Sequence, residues 1–220
     1  MARPPTRARR FERMDRDDCL ARARRHLARR DPALGRLIRD VGPCRLRVRG
    51  DPYGSLLRSI LFQQLAGAAA RAIDTRFRAH FGGRYPRPAA LLATPAAELR
   101  RLGLSRQKQA AMGEVARAFD GGRVSGRRLF HMSEQEVVES LTEIKGVGPW
   151  TAHMILMFSL GRPDILPVGD YGVRKGAQLV YGLDELPKPA QLEALAEPWR
   201  PYASVASWYL WRALEIVDPG

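Results

Sequence analysis

Two glycines, set one residue apart between two helical patterns, constrain the fold of this chain more than any other feature. They lie in the segment KGVGP at residues 145–149. Because glycine lacks a Cβ, it accepts a positive φ and lets another backbone approach closely. A proline directly after the second glycine suits the first turn of a helix, where its missing N–H costs nothing. The pattern therefore predicts two helices joined by a tight hairpin.

Both flanking helices carry their own signals. Ser133 and Glu136 have the spacing of a capping box, and apolar residues then recur at helical spacing up to Ile144. Ile155 and Phe158 lie on one apolar face of the second helix. A helix that begins with unpaired N–H groups carries a partial positive charge and is suited to bind phosphate. Two interpretations stay open at this point: a phosphate-binding hairpin, or an ordinary tight turn in a helical bundle.

The rest of the chain also favours helices and shows little strand signal. Residues 15–39 give a helical stretch interrupted at a proline, and residues 53–81 give one long helix or two joined helices. We therefore expect an all-α fold. The two glycines at 121–122 suggest a linker, so we expect two helical subdomains, the middle one covering about residues 65–180. Residues 1–10 are rich in proline and arginine and predict a basic disordered tail.

The charge balance points to a polyanionic partner. The formal net charge is +14 and the isoelectric point is about 10.9. Lysine occurs only four times, so arginine supplies 33 of the 37 basic residues (37 − 4). The planar guanidinium matches the geometry of phosphate. An arginine bias can also reflect genome composition, but such a bias does not set the net charge. The composition therefore favours a nucleic-acid partner.

The segment IKGVGPWTA at residues 144–152, followed by a Gly- and Pro-rich loop and then Asp170, resembles the helix-hairpin-helix-GPD superfamily of DNA glycosylases. Within it, the chain looks most like the 3-methyladenine DNA glycosylase II (AlkA-like) group. The resemblance runs from about Leu56 to Trp211. It implies that residues 11–220 form one glycosylase domain, with the active-site cleft between its two helical subdomains.

The resemblance assigns the catalytic role to Asp170. When an N-glycosidic bond is hydrolysed, positive charge develops on the sugar as the base leaves, and a fixed carboxylate beside C1′ stabilises it. The alternative is that Asp170 only caps the helix that begins at Tyr171. The two roles are compatible, because a capping bond fixes the side chain. Asp164 is the rival carboxylate, and it fits the pattern of the superfamily less well.

The resemblance also indicates how the damaged base is held. Trp150 stands where relatives that cleave the strand carry a Schiff-base lysine, so we expect a monofunctional enzyme in which water attacks the sugar. An alkylated base is cationic, and the indole face of Trp150 would attract it. The alternative is a core tryptophan at a helix start. Trp208 matches a second pocket tryptophan, and Met154 stands where the group often has tyrosine.

Contacts to double-stranded DNA are implied at two places. In related glycosylases a turn like that at residues 62–69 enters the DNA stack, which makes Gln64 or Leu65 the wedge that fills the space of the flipped base. The alternative is a polar kink between two buried helices. Apart from these contacts, Gly103, Ser105 and Lys108 match the G-x-S-x-x-K pattern of the family. Phosphate contacts are expected from the hairpin residues Gly146, Val147, Gly148 and Thr151.

Cofactor expectations are few. The resemblance implies a sodium or potassium ion held by the backbone carbonyls of Thr142, Ile144 and Val147. An iron–sulfur cluster needs four cysteine ligands, and Cys19 and Cys44 are the only cysteines, so no such cluster is expected. The sequence contains no run of 18 apolar residues, so no membrane span is expected. We expect a monomer in the cytoplasm, associated with the nucleoid through DNA.

Three functions stay open on the sequence. The first is a monofunctional glycosylase that removes alkylated purines of the 3-methyladenine type in base excision repair. The second is a glycosylase of the same fold that acts on deaminated or oxidised bases. The third is a non-catalytic helix-hairpin-helix DNA-binding protein. Asp170 and the two tryptophans argue against the third, because a protein that only binds phosphate needs none of them.

Overall fold

The computed structural model describes residue 14, residues 17–63, residue 65 and residues 67–217. Within these ranges the chain forms helices, turns and loops without a strand, which confirms the predicted all-α class. No described helix is long and apolar enough to cross a bilayer. The predicted disordered tail at residues 1–10 and the predicted wedge residue Gln64 lie outside the described residues.

The chain divides into two compact units, which confirms the prediction of two helical subdomains. The terminal unit comprises Met1–Val48 and Gly161–Gly220, and the middle unit comprises Arg49–Leu160. In chain order the α-helices are α1 (Asp17–Arg30), α2 (Pro32–Val41), α3 (Pro52–Phe62), α4 (Gly67–His80), α5 (Pro88–Ala93), α6 (Ala96–Arg101), α7 (Arg106–Asp120), α8 (Gly126–Leu129), α9 (Glu134–Thr142), α10 (Pro149–Phe158), α11 (Tyr171–Tyr181), α12 (Pro189–Ala196) and α13 (Ala203–Val217).

The terminal unit is organised around the close packing of α11 against α13. A Cβ on Gly176 of α11 would lie 2.2 Å from the carbonyl oxygen of Leu210 on α13, so only glycine lets the two helices approach this closely. Asp31, which caps α2, is buried and accepts a 2.9 Å bond from the indole N–H of Trp199 and a bond from the hydroxyl of Tyr181. This satisfied polar network ties the N-terminal helices to the C-terminal half of the unit.

The middle unit is built on α3, which packs against α4, α7 and α10. Its core side chains Leu56, Leu57, Ile60 and Leu61 are fully buried. Asp51 caps the helix by accepting a 3.0 Å bond from the N–H of Gly54. The sequence left open one long helix or two over residues 53–81, and the structure has two, α3 and α4.

The limits of the middle unit differ from the predicted limits of about 65 and 180. Because α3 packs on α7 and α10, the middle unit begins at Arg49 rather than near residue 65. Because α11 packs on α13, the chain from Gly161 onward belongs to the terminal unit. Both differences come from helix packing between segments far apart in sequence, which local patterns do not encode.

Candidate functional site

Asp170 is the N-cap of α11, as the sequence predicted. Its backbone is extended, with φ −75° and ψ 121°, and its Oδ1 accepts a 2.8 Å bond from the N–H of Val173. Only 8% of the residue is exposed. The carboxylate is therefore held at the positive end of a helix, in a largely dehydrated position.

A second donor binds the same oxygen. The indole Nε1–H of Trp211, on α13, lies 2.9 Å from Oδ1 of Asp170. A Cβ on Gly172 would lie 2.8 Å from Cδ1 and 2.9 Å from Nε1 of this indole, so glycine is what lets the ring lie beside the first turn of α11. Two donors on one oxygen fix the rotation of the carboxylate group as well as its position.

Sequence reasoning missed Trp211 and named Trp208, one helical turn earlier on α13. The Trp208 ring is half-buried, stands edge-on to the Tyr209 ring at 5.0 Å, and has the Arg212 guanidinium 5.4 Å from its centre. Its place in a base pocket stays a prediction. The two tryptophans are three residues apart, so only the packing of α13 on α11 decides which of them meets Asp170.

The rival carboxylate, Asp164, has a structural task. Its Oδ1 accepts a 3.1 Å bond from the N–H of Ala203, at the start of α13, and lies 3.2 Å from Nη1 of Arg200. The same Arg200 nitrogen donates to the backbone oxygen of Asp164 at 2.9 Å. Asp164 therefore joins its loop to the start of α13, and these contacts account for the residue without a catalytic role.

The hairpin between α9 and α10 has the predicted geometry. The capping box of α9 is present: the N–H of Glu136 donates to Ser133 Oγ at 3.2 Å, and the Ser133 N–H donates to the Glu136 carboxylate at 2.6 Å. Gly146 has φ +94°, and a Cβ there would lie 2.7 Å from Cβ of Ala111. The fold itself therefore requires the first glycine of the hairpin.

The second glycine is different. Gly148 has φ −99°, which any residue adopts, and an added Cβ would meet nothing within 4 Å. Gly148 is the N-cap of α10, and no side chain caps this helix. The missing Cβ thus keeps open the approach to a positively charged helix N-terminus, which is the geometry that binds an anion.

The remaining hairpin residues point inward. Ile144 and Val147 are buried, and the N–H of Val147 donates to the Ile144 carbonyl at 2.9 Å. Thr151 is 2% exposed, and its Oγ1 lies 3.5 Å from the Gln63 amide nitrogen, so its side chain faces the unit's interior. The ion expected at the carbonyls of Thr142, Ile144 and Val147 stays a prediction. Among the described residues, no cluster of three or more His, Cys, Asp or Glu side chains is placed to hold a metal.

A groove of about 960 Å³ runs along the middle unit beside the hairpin. We call it the hairpin groove. Trp150, on the first turn of α10, is 39% exposed here, which disfavours the interpretation as a core tryptophan. Leu65, the described candidate for the wedge, is 37% exposed, whereas Met154 is buried. The groove is lined by, among others, Phe62, Gln63, Leu65, Lys108, Lys145 and Trp150.

Most of the chain is similar to a known protein family. The model of a family described as the HhH-GPD superfamily of base excision DNA repair proteins matches residues 57–201. The chain belongs to the HhH-GPD superfamily. The alkylbase DNA glycosidase-like protein mag2 of Schizosaccharomyces pombe is 34% identical over 212 residues, covering 94% of this chain and all of the relative.

Solved structures of this superfamily have the same fold. The structure of the S. pombe 3-methyladenine DNA glycosylase Mag1 in complex with abasic DNA superposes with a TM-score of 0.83 at 32% identity, over 90% of this chain and 98% of that one. A DNA-3-methyladenine glycosidase from Bacillus halodurans gives a TM-score of 0.78 at 34% identity, over 96% and 94% of the two chains.

Proposed function

We propose that this protein is a DNA glycosylase that removes alkylated purines of the 3-methyladenine type from double-stranded DNA, as the first step of base excision repair. The observation that carries the proposal is the Asp170 carboxylate, buried at a helix N-terminus and fixed by Val173 and Trp211. The relatives named above as alkylbase and 3-methyladenine glycosylases support the substrate class. The motif around Trp150 supports the narrower assignment to the type II group.

The reaction follows from the charge on this side chain. As the bond between C1′ and the base nitrogen breaks, its electron pair leaves with the base and positive charge develops on the sugar. The carboxylate of Asp170 stabilises this charge without moving, because its orientation is set before the reaction. A water oxygen then bonds to C1′, and one proton of that water passes to the carboxylate or to solvent.

Trp150 defines the kind of product. A tryptophan cannot form a Schiff base, so the sugar reacts with water and the DNA strand stays intact at the abasic site. Its exposed indole face offers an alkylated, cationic base a favourable contact that a normal, neutral base lacks. The selectivity for alkylated purines therefore rests in part on the charge of the lesion. The resemblance that assigns Trp150 to the base pocket assigns Met154 and Trp208 to it as well.

The DNA backbone is bound at the hairpin in this proposal. Gly146 and Gly148 present backbone N–H groups and the N-terminus of α10 to one phosphate, with Thr151 one turn further along the helix. The N–H of Val147 is already bonded to the Ile144 carbonyl, so this residue contributes to the site through the shape of the turn. A sodium or potassium ion on the carbonyls of Thr142, Ile144 and Val147 would add positive charge beside that phosphate. The excess of arginine over the whole chain supplies less specific attraction, and one copy of the chain is sufficient for the reaction.

A base-release assay on a panel of lesions tests the proposal. Duplexes carry 3-methyladenine, 7-methylguanine, 1-methyladenine, hypoxanthine or 8-oxoguanine, and the reaction is stopped with and without borohydride. The expected result is release of alkylated purines, an intact abasic strand and no trapped covalent adduct. Release of only deaminated or oxidised bases would contradict the substrate class. A trapped adduct would contradict the monofunctional reaction, and no release of any base would favour a non-catalytic DNA-binding protein.

A further inference from the structure

The end of α3 is held by a lysine from another helix. This end lies directly before the predicted wedge residues, 64 and 65, which we call the wedge segment. The ammonium of Lys108, on α7, donates to the backbone carbonyls of Ile60, Leu61 and Gln63, at 3.1 Å to Ile60 and 2.9 Å to Gln63. An ammonium has three N–H donors, so all three are used. The last carbonyls of a helix lack their usual partners four residues on and carry partial negative charge, which a cation stabilises. Here the Ile60 carbonyl also accepts a 3.3 Å bond from the N–H of Gln63.

This cap lies where the chain leaves the helix. Gln63 follows the last helical residue, Phe62, and its φ of −58° and ψ of 133° turn the chain out of α3. Leu65, two residues later, is exposed to the hairpin groove. The Lys108 ammonium therefore bonds the backbone two residues before Leu65, the described candidate for the wedge.

Gln63 has two further contacts, the 3.3 Å bond from its N–H to the Ile60 carbonyl and a 3.5 Å contact from its amide nitrogen to Thr151 Oγ1. The contacts of Arg58, nearby on α3, are made to side chains. The Arg58 guanidinium of α3 stacks 4.0 Å from the centre of the Phe62 ring and lies 3.4 Å from the Asp74 carboxylate of α4. These contacts connect the two helices across the wedge segment. The bonds from Lys108 act on the backbone itself, at the last turn before the wedge.

Holding a charge at this half-buried position has a cost. Burial lowers the pKa of Lys108 below the ordinary lysine value, because the charged form loses hydration. The three carbonyls offset this loss with charge-assisted hydrogen bonds. A lysine used only for general attraction to DNA would sit at the surface, as Lys145 does on the same groove. Its position indicates that Lys108 acts on the protein backbone rather than on phosphate.

We propose that Lys108 is a positioning residue for base extrusion: by capping the end of α3 it sets where the wedge segment enters the DNA stack. This inference rests on the proposed function. Pushing a paired base out of the helix requires unpairing and unstacking, and the wedge fills the space that is left. A wedge on a loosened backbone would do this poorly, while the chemistry at Asp170 would be unaffected.

The test compares a lesion that is hard to extrude with one that is easy. Duplexes carry 7-methylguanine opposite cytosine or opposite an abasic-site analogue, and single-turnover base release is measured at saturating protein. Lys108→Met keeps the length of the side chain but donates no hydrogen bond. We expect it to slow release from the cytosine-paired duplex about tenfold and from the duplex with the abasic analogue less than about twofold, because extrusion limits only the first.

Two further variants control for charge and folding. Lys145→Met removes a positive charge from the same groove, and we expect weaker DNA binding with an unchanged ratio between the two duplexes. Lys108→Arg keeps the charge with a different donor geometry, and we expect it to recover part of the loss. Urea unfolding of each variant separates a loss of stability from a loss of extrusion. Equal slowing on both duplexes, or the same change of ratio in Lys145→Met, would overturn the proposal.

A second readout keeps this inference separate from the proposed function. 2-Aminopurine placed opposite the abasic analogue or in a paired site reports unstacking by fluorescence, without any base release. If the wild type released no base from any lesion but unstacked the paired 2-aminopurine, and Lys108→Met did not, the proposed function would fail and the role of Lys108 would stand. If Lys108→Met unstacked the paired base as well as the wild type, the role of Lys108 would fail whatever the enzyme releases.

Discussion

The helices α10 and α11 begin in opposite ways. Each has a first turn with N–H groups directed outward and a partial positive charge. At α11 the chain supplies its own anion, because the Asp170 carboxylate accepts the N–H of Val173. At α10 no side chain caps the helix, and Gly148 leaves open space where a Cβ would stand. One helix start is closed by the protein and the other is left open to an external anion.

This difference shows how one backbone feature serves two tasks. The closed start at Asp170 holds a negative charge in one orientation, which suits stabilisation of a cationic transition state. The open start at Gly148 suits a phosphate, which must arrive and leave. The two glycines of the hairpin also serve different purposes, one for the fold and one for the ligand. Gly146 is required by the fold, since its φ is +94°, whereas Gly148 is required only if a ligand approaches.

The largest expected effect is at the closed start. Asp170→Asn keeps an oxygen that can accept the bonds from Val173 and Trp211, so it removes charge with little change of shape. We expect single-turnover release of an alkylated purine to fall about 10²–10³-fold, since one preorganised electrostatic partner is lost. Asp164→Asn is the matched control, because Asp164 holds the start of α13 by a similar bond. A near-normal rate for Asp170→Asn with a lost rate for Asp164→Asn would reverse the assignment.

The second effect is on stability. Gly146→Ala forces an L-residue into the left-handed region, which costs about 1–2 kcal/mol, and its Cβ would press on Ala111, which adds a further cost of about 1 kcal/mol or more. We expect the free energy of unfolding in urea to fall by about 2–3 kcal/mol. Gly148→Ala serves as the control: its φ of −99° suits alanine, so we expect a smaller loss, from the poorer N-cap alone. If the two variants had the same free energy of unfolding, the claim that the fold requires Gly146 but not Gly148 would be wrong.

A smaller effect is expected at the indole that holds the carboxylate. Trp211→Phe keeps the ring against Gly172 but removes the N–H that donates to Asp170. This donor fixes the orientation of the carboxylate before the reaction, so without it we expect the rate to fall about tenfold, with DNA affinity nearly unchanged. Trp208→Phe is the comparison. If it slowed the reaction while Trp211→Phe did not, the tryptophan chosen from the sequence would be the one that matters for catalysis.

The smallest effect is at the open start. In Gly148→Ala a methyl group stands between the N-terminus of α10 and an approaching phosphate. One weakened hydrogen bond is worth about 0.5–1.5 kcal/mol, so DNA affinity should fall about threefold to tenfold. The measurement is a binding titration with an undamaged duplex at fixed salt. An affinity equal to the wild type would show that no phosphate approaches this position.

The contacts that the sequence predicted join residues close together in the chain, and those that it missed join residues far apart. The capping box at Ser133 and the cap at Asp170 join residues three apart, and local spacing was enough to find both. Trp211 meets Asp170 across 41 residues, through the packing of α11 on α13. Lys108 reaches carbonyls 45 to 48 residues earlier in the chain, so its partners could not be named although its motif was noticed.

One paired measurement tests most directly whether the two helix starts perform separate tasks. The single-turnover rate at saturating protein and the affinity for the same 7-methylguanine duplex are determined for Asp170→Asn and Gly148→Ala. We predict that Asp170→Asn loses rate and keeps affinity, while Gly148→Ala loses affinity and keeps rate. If both variants lost the same property, or if Gly148→Ala lost rate at saturation, the separation of the two tasks would be wrong.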